Sequence, residues 1–421
     1  MRDSMAGFLG SLGVVFWGVI TFSILVVLHE GGHFLAARAF GVKVHEFMLG
    51  LPGPALRIET KNMTWGVTAI PLGGYVRIAG MEPGAEDELL GPALKAVAAS
   101  EKMEAGELAV LLGVPRKRAT AILTTLEDWA AIVPLDEMHY TAAENVDRTA
   151  DEVPMLDRAR SITYRGLKTW KRIVVLCAGV TVNIVTAILT FTIVLSVWGI
   201  PGPDLALGSV VPASAAATAG LTVGDRITAV NGTTVESWEA FLAIMGKTSP
   251  KQAVTIAYER GGTKSVATVT LGEQDGRGFL GVGAGTKYTK YPVLEALGQS
   301  FQWTGMVFVA VVNFFNPSTF GESIKGARGV VGIAVMASDA AKSGPLDYAW
   351  LIALLSLSLG AMNILPIPPL DGGKIAVEIV ERIAGRPLGR RLSIAMSAAG
   401  AILLFSLIGY LLYADVVRIV S

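Results

Sequence analysis

The sequence predicts an α-helical protein that crosses a membrane about four times and carries two polar modules between its spans. Hydrophobic residues make up 52% of the 421 residues and charged residues only 17%, whereas a soluble domain carries about 25% charged residues. Four stretches are long and apolar enough to cross a bilayer, which takes about 20 residues. The 35 basic and 35 acidic residues cancel, so no overall charge favours nucleic acid.

The first span is predicted in residues 4–28, which contain no charged residue. A cleaved signal peptide is the alternative, but its apolar region would be about 7–15 residues long and would end at small residues. This stretch is longer and ends in His-Glu. The other three spans are predicted at Ile173–Trp198, at Ala349–Leu370 and at Leu392–Tyr413.

Basic residues flank these spans and predict the topology. They are Arg38 and Lys43; Arg158, Arg160, Arg165, Lys168, Lys171 and Arg172; and Arg382, Arg386, Arg390 and Arg391. Four alternating spans place all three groups on one face, which the positive-inside rule makes cytoplasmic. The sequence therefore predicts a multi-pass protein of the cell membrane with both termini outside.

A further uncharged stretch, residues 296–321, contains many polar side chains. A fifth span there would move the Arg386 group to the outer face. We therefore predict that Phe301–Phe315 forms an interfacial or docking helix on the outer side.

The first span ends in a metal-binding pattern, His29-Glu30-Gly31-Gly32-His33. Positions i and i+4 of a helix share a face, so both imidazoles can reach one metal ion. Zinc suits these ligands, and a glutamate beside the metal can accept a proton from water. The adjacent glycines suggest close approach by another segment. The alternative is a helix end with solvated histidines.

A catalytic zinc site takes three protein ligands and keeps one position open. His45, just past the first span, and His139, in a polar insert, are poor candidates. Asp371 follows the third span, which runs in the same direction as the first, so it is predicted at the depth of His29 and His33. The alternative is that Asp371 only caps a helix.

In these motifs the chain resembles the site-2 protease family of intramembrane zinc metalloproteases. The matching segments are the H-E-x-x-H motif, Asn363-x-x-Pro366-x-Pro368-x-Leu370-Asp371-Gly372, and "PLGGYVRIAGM" at Pro71–Met81. The resemblance implies that His29, His33 and Asp371 bind Zn²⁺ and that Glu30 is the general base. It further implies that Asn363 contacts the substrate backbone.

The family pattern Ala-Gly-Pro-x-x-Asn matches residues 178–183, with Val180 in place of proline. Asn183 is therefore assigned to substrate binding, with an interhelical hydrogen bond as the alternative. Gly73, Gly74 and Tyr75 are assigned to the same role.

Two strands are predicted before this patch, at Leu56–Thr60 and Met63–Ile70, around a Lys61-Asn62 turn. An edge strand there could pair with an unwound substrate helix. The alternative is a hairpin that only closes the cytoplasmic side.

Between the second and third spans, residues 204–286 resemble a PDZ domain. The resemblance is carried by Ala219-Gly220-Leu221, Gly224-Asp225 and Val230-Asn231-Gly232. Such domains bind peptide termini at a sheet edge, and the predicted peptide loop is Gly278, Phe279, Leu280 and Gly281. The topology places this domain outside the cytoplasm.

Residues 85–157 do not match the family and are predicted to be a cytoplasmic winged-helix-like helical insert. Its helix-turn-helix pattern has only three basic residues, Arg116, Lys117 and Arg118, which is a small footprint for DNA. A docking or structural module is expected, and nucleic acid is not an expected partner.

The predicted regions are 1–84, first span and hairpin; 85–157, insert; 158–203, second span; 204–286, PDZ-like domain; 287–348, outer docking helices; and 349–421, third and fourth spans. The expected function is hydrolysis of transmembrane segments, as in anti-sigma factors or remnant signal peptides, within regulated intramembrane proteolysis. The alternative is a membrane-anchored PDZ scaffold or regulator with a non-catalytic zinc site. The expected partners are transmembrane substrates, the lipid bilayer and peptide termini.

Overall fold

The computed structural model describes residues 2–60, 63–70, 73–81, 86–386 and 388–420. The chain divides into two compact units. The membrane unit comprises residues 1–190 and 300–421, and the β-rich unit comprises residues 191–299.

Helices form most of the membrane unit. In chain order, the helices of the whole chain are α1 (Arg2–Ala39), α2 (Leu90–Ala99), α3 (Ala105–Leu112), α4 (Arg116–Asp128), α5 (Glu152–Ser161), α6 (Thr169–Ile193), α7 (Ala215–Thr218), α8 (Trp238–Met245), α9 (Val293–Phe314), α10 (Phe320–Gly326), α11 (Val330–Ser343), α12 (Pro345–Asn363), α13 (Asp371–Ala384) and α14 (Arg390–Val420). A 3₁₀ turn precedes α6 at Tyr164–Gly166, and a π-helical turn follows it at Val194–Trp198.

Among the described residues, the strands belong to four sheets. They are β1 (Val44–Leu49), β2 (Ala55–Glu59), β3 (Thr64–Thr68), β4 (Gly74–Ile78), β5 (Met103–Glu104), β6 (Ile132–Pro134), β7 (His139–Ala142), β8 (Ile200–Val210), β9 (Arg226–Val230), β10 (Thr233–Thr234), β11 (Ala253–Arg260), β12 (Thr263–Thr270), β13 (Gly272–Gln274), β14 (Arg277–Phe279) and β15 (Val282–Thr289).

The prediction of four spans is confirmed among the described residues. Four helices are long and apolar enough to cross a membrane, at Ser11–Ala39, Thr169–Trp198, Pro345–Asn363 and Arg391–Arg418. The third ends at Asn363 and not at the predicted Leu370, because the prolines that follow cannot continue a helix. The first continues to Ala39, so the histidine motif lies within α1 and not at its end.

Helix α11, which the sequence did not single out as a separate element, packs closely against α1. A Cβ atom at Gly18 would lie 2.7 Å from the Cβ of Ala334. The Thr21 hydroxyl lies 2.9 Å from the Tyr348 hydroxyl of α12. Small residues at such contacts allow membrane helices to approach closely, and here they hold the span that carries the histidine motif.

The segment after α1 forms a four-stranded sheet in the order β2-β3-β1-β4. The predicted hairpin is present as the antiparallel pair β2 and β3. Its Lys61-Asn62 turn lies outside the described residues, as do Pro71 and Leu72 of the matching patch. Strands β1 and β4 were not predicted, and β4 is an edge strand. Gly74 of β4 lies directly against Val26 of α1, which fixes this edge beside the first span.

The insert combines the helices α2, α3, α4 and the start of α5 with a small sheet, in the order β5-β7-β6. Its core includes Leu94, Leu108, Leu126 and Trp129. Asp128, at the end of α4, attaches the insert to the first sheet. Its carbonyl accepts a hydrogen bond from His45 Nε2 at 2.6 Å, and its carboxylate accepts one from the Gly80 amide at 2.7 Å.

The β-rich unit is built on a sheet in the order β12-β11-β9-β8-β15, with β10 paired to β9. Helix α8 covers this sheet, and Phe241 and Trp238 belong to the shared core. The Asp225 side chain is fully buried and receives both Nε and Nη2 of Arg260, at 2.6 and 2.7 Å. These hydrogen bonds hold the pKa of Asp225 below its ordinary value.

We predict that Arg260→Gln destabilises the β-rich unit, because it leaves a buried carboxylate without its cation. Since the folded-state pKa of Asp225 is lowered, the pair stabilises the fold above about pH 4 and loses this contribution as the pH falls further. The variant should therefore show a weaker pH dependence.

Hydrogen exchange of the amides in residues 191–299 of the full chain measures this effect, with exposed Lys264→Gln as the control. Equal protection in the two variants would show that the pair is energetically neutral.

Candidate metal centre

Helix α1 places His29 and His33 one turn apart on the same face. Their Nε2 atoms are 3.4 Å apart, and both side chains are buried. The spacing of four residues produces this arrangement directly, since a helix turns once in 3.6 residues.

Asp371 joins this pair from the other end of the chain. It is the first residue of α13, and its Oδ2 atom lies 3.0 Å from Nε2 of both His29 and His33. The side chain is buried. The structure thus brings together the three residues that the sequence predicted as ligands.

The turn of residues 364–370 determines where Asp371 lies. It separates α12 from α13, and the two glycines after Asp371 pack against it. A Cβ atom at Gly372 would collide with the Ile364 carbonyl, and one at Gly373 would collide with Pro368. The absence of side chains here lets the aspartate-bearing end of α13 fold back onto the turn.

The donor atoms fit a metal ion. One ligand atom from each of the three residues lies within 4.8 Å of the others. Tetrahedral zinc bonds of about 2.0–2.1 Å place neighbouring donors roughly 3.3–3.4 Å apart, close to the separations of 3.0, 3.0 and 3.4 Å. Two imidazoles and one carboxylate suit zinc and leave a fourth position for water or substrate.

Both histidines also contact helix α6 through their second ring nitrogens. His33 Nδ1 lies 2.8 Å from the Val175 carbonyl, to which it can donate a hydrogen bond. His29 Nδ1 lies 3.2 Å from Asn183 Nδ2. Such partners fix the orientation of metal-binding imidazoles. Asn183, predicted to bind substrate, is fully buried and lies against His29.

Two glycines allow α1 and α6 to meet at this point. A Cβ atom at Gly32 would lie 2.5 Å from the Ala178 carbonyl oxygen, while one at Gly31 would meet nothing within 4 Å. A Cβ atom at Gly179 would collide with the His33 ring. The expected close approach therefore holds for Gly32, and Gly179 makes room for the imidazoles.

Glu30 lies between the first sheet and the histidine cluster. It is half-buried, and its Oε2 atom accepts a hydrogen bond from the Val76 amide of β4 at 3.2 Å. This contact holds the Glu30 carboxylate at the edge strand. Glu30 also follows His29 directly in the sequence.

The other predicted substrate-binding residues lie at the end of α12 and at the start of β4. Asn363 is the last residue of α12, and its side-chain amide donates to the Leu359 carbonyl at 3.0 Å. Gly73 precedes β4 with φ at +120°, and Gly74 and Tyr75 begin that strand. The Tyr75 hydroxyl donates to Glu46 at 3.2 Å.

The predicted peptide loop lies in the β-rich unit. Gly278 and Phe279 end β14, and Leu280 is buried in the core. Gly281 has φ at +82°, and a Cβ atom there would collide with Ser214. The loop is therefore closely packed against the turn before α7.

Sequence reasoning missed several groups at the centre. The Val175 carbonyl and the Val76 amide are backbone groups, which leave no signature in residue type. Lys374, whose Nζ lies 3.4 Å from Asp371 Oδ1, could have been found from its position one turn after Asp371. Gly179 belongs to the quoted pattern, but its spatial role needed the helix packing.

The four apolar helices and the buried ligand cluster define a membrane zinc metalloprotease. The chain belongs to peptidase family M50, the site-2 protease family, whose profile matches residues 17–407. This confirms the resemblance found in the motifs, the class of enzyme and its zinc cofactor.

Bacterial relatives match almost the whole chain. The zinc metalloprotease RasP of Shouchella clausii is 28% identical over 419 residues, covering 96% of this chain and 98% of the relative. The zinc metalloprotease RasP of Bacillus licheniformis is 28% identical over 423 residues, covering 95% and 98%. Among solved structures, the PDZ domain of the SdrC-like protein from Listeria monocytogenes is 24% identical, covering 20% of this chain and 88% of that domain, with a TM-score of 0.18.

We predict opposite effects of alanine at the two glycines of the motif. Gly32→Ala forces α1 away from the α6 backbone and should cost about 1–3 kcal/mol of stability, with reduced zinc content. Gly31→Ala meets open space and should be neutral or stabilising by up to about 1 kcal/mol through its helix propensity. Thermal unfolding and zinc content of the purified variants measure both effects. Equal behaviour of the two variants would contradict the packing described.

Proposed function

We propose that the protein hydrolyses peptide bonds in transmembrane segments of membrane proteins, with His29, His33 and Asp371 holding the zinc ion and Glu30 as general base. The observation that carries this proposal is the buried cluster of two imidazoles and a carboxylate, with Glu30 adjacent on the same helix.

The chemistry follows from these residues. A zinc ion held by His29, His33 and Asp371 would polarise the scissile carbonyl and would lower the pKa of a bound water to about 7. Glu30 accepts a proton from the attacking water and passes it to the leaving amine nitrogen. The Val76 amide orients the Glu30 carboxylate for both transfers. Helix α6 holds the imidazoles in place through Val175 and Asn183.

The substrate must expose its backbone, because an intact helix hides its carbonyls in hydrogen bonds. The edge strand β4 could bind such an exposed backbone. The Val76 amide of this strand donates to Glu30, which holds the open edge of β4 beside the proposed base, and an unwound substrate could pair with the rest of that edge by strand addition. Gly73, Gly74 and Tyr75 would line this path, and Asn363 would contact the substrate backbone. The alternative is that the sheet only closes the cytoplasmic side of the site and does not pair with substrate.

The sidedness proposed from the basic flanks places the zinc site towards the cytoplasm and the PDZ-like domain outside. In this arrangement the PDZ-like domain binds peptide termini of substrates or regulators. The substrate class that fits is a membrane-spanning anti-sigma factor or remnant signal peptide within regulated intramembrane proteolysis.

For the winged-helix-like insert we propose protein docking or a structural role. Arg116 forms an ion pair with Glu104 at 2.8 Å, and Arg118 forms one with Asp87 at 2.9 Å. These ion pairs occupy two of the three basic side chains of the insert that could bind DNA phosphates, which favours a protein partner over DNA.

Glu30→Gln should abolish cleavage of a membrane-anchored reporter and keep the zinc ion, because it removes the proton acceptor and leaves the ligands intact. Asp371→Ala should lose both zinc and activity. Reporter cleavage and zinc content, measured on the same preparations, separate these two effects. A Glu30→Gln protein that still cleaves would refute the assignment of Glu30, whereas a natural protein that binds zinc and cleaves no reporter would favour the scaffold alternative.

We further propose that Asn183 positions His29. A histidine that binds metal through Nε2 carries its proton on Nδ1 and needs an acceptor there. His33 has the Val175 carbonyl, whereas His29 faces the Asn183 amide. Asn183 Oδ1 is buried without a hydrogen-bond partner among the described residues. Turning the amide by 180° brings this oxygen to His29 Nδ1, so we expect that orientation in the zinc-loaded enzyme.

Asn183→Leu should lower zinc affinity by about 10–100-fold, the usual effect of losing such a partner. Asn183→Asp keeps an acceptor oxygen and should bind zinc within a few-fold of the natural protein. Competition with a chelator measures both affinities. Equal losses in the two variants would point to packing as the role of this residue.

A further inference from the structure

A cavity of about 380 Å³ lies beside the first turn of α6 and the second half of α13, apart from the histidine cluster. Both ends of the insert contribute to the lining, together with the start of α6 and the second half of α13. The lining residues are Glu86, Arg160, Arg165, Thr169, Arg172, Glu378, Glu381, Arg382, Gly385 and Arg386. It shares no residue with the zinc ligands or their partners.

The lining is strongly charged and unbalanced. It contains five arginines and three glutamates, an excess of two positive charges. Pockets that bind a compact ligand are typically about 300–1,000 Å³, so this cavity has room for an anion with an attached group.

The three carboxylates are already engaged by the protein. Glu86 forms an ion pair with Arg160 at 3.1 Å, and Glu378 forms one with Arg172 at 3.0 Å. Glu381 accepts a hydrogen bond from the Leu388 amide at 2.8 Å. These contacts order the walls of the cavity.

Two arginines remain uncommitted. Arg382 and Arg386 are exposed, and neither has an ion-pair partner within the described part of the chain. Guanidinium groups present fork-shaped donors that match phosphate oxygens. A wall ordered by ion pairs, with two further arginines beside it, is suited to a phosphate group.

The position also suits a phosphate-bearing ligand. Thr169 and Arg172 belong to the first turn of the span Thr169–Trp198, where a helix leaves the apolar core and reaches the headgroups. The inference rests here on the proposed topology, in which this end of the helix faces the cytoplasm, the side on which basic pockets between membrane helices bind phosphate headgroups.

We infer that this cavity binds a phosphate-bearing anion, either the headgroup of an anionic phospholipid or a soluble phosphate. Occupation would connect the last helix of the insert, through Arg160, to α13, through Arg382. Because α13 begins at Asp371, the same ligand would steady the helix that supplies the carboxylate of the zinc site. The Tyr164 hydroxyl, which donates to Glu378 at 3.2 Å, strengthens this connection.

Binding is tested on the full chain in a neutral detergent with three probes. These are dihexanoyl-phosphatidylglycerol, dihexanoyl-phosphatidylcholine as the zwitterionic control, and inorganic pyrophosphate, each titrated by calorimetry. The variant is Arg382→Gln with Arg386→Gln, two exposed side chains whose removal leaves the core untouched. Arg391→Gln is the matched control, because it belongs to the same basic group and does not line the cavity.

We expect the double variant to weaken anion binding about ten-fold or more, since charged hydrogen bonds are lost, and Arg391→Gln to leave it unchanged. Binding of phosphatidylglycerol without pyrophosphate would identify a headgroup, and binding of pyrophosphate would identify a soluble phosphate. The inference is overturned if neither anion binds better than phosphatidylcholine. It is also overturned if the double variant binds as well as the natural protein, or if Arg391→Gln weakens binding equally.

Discussion

The rest of the membrane unit depends on one interaction, the burial of the Asp371 carboxylate against the His29 and His33 imidazoles. A carboxylate in apolar surroundings is costly unless a positive charge compensates it. Lys374 approaches it from its own helix at 3.4 Å, but the two Nε2 atoms point at the same carboxylate oxygen. A zinc ion held by these three groups would satisfy all of them. It would also join α1 to α13, two helices that are more than three hundred residues apart in the chain.

This constraint explains features that otherwise look unrelated. Where α1 meets α6, Gly32 faces the Ala178 backbone and Gly179 faces the two imidazoles, and glycines face backbone again where α13 folds back onto its preceding turn. Prolines end α12 early enough for Asp371 to reach the histidines. The sheet brings its edge strand to α1, where Gly74 leaves room for Val26, and thereby holds Glu30 beside the ligands. The glycines let neighbouring segments approach the site more closely than a larger residue would allow.

The sequence predicted the parts of this centre that depend on local periodicity and on topology. A spacing of four residues fixes the relation of His29 to His33, and two spans of equal direction predict that Asp371 ends at the same depth. It predicted the hairpin of β2 and β3 but not β1 and β4, because β1 does not pair with β2, the next strand in the sequence, but with β3 in parallel and with β4. The spatial role of Asn183 was also not predictable from the sequence. The family pattern assigned it to substrate binding, with an interhelical hydrogen bond as the alternative, and only the packing of α6 against α1 shows that His29 is its neighbour.

X-ray absorption at the zinc edge of the purified protein tests the central claim most directly. The account predicts two imidazole nitrogens and carboxylate or water oxygens at about 2.0–2.1 Å, with one imidazole lost in His33→Ala. A sulfur ligand, which only Cys177 or a methionine could supply, or an unchanged spectrum in His33→Ala would contradict it.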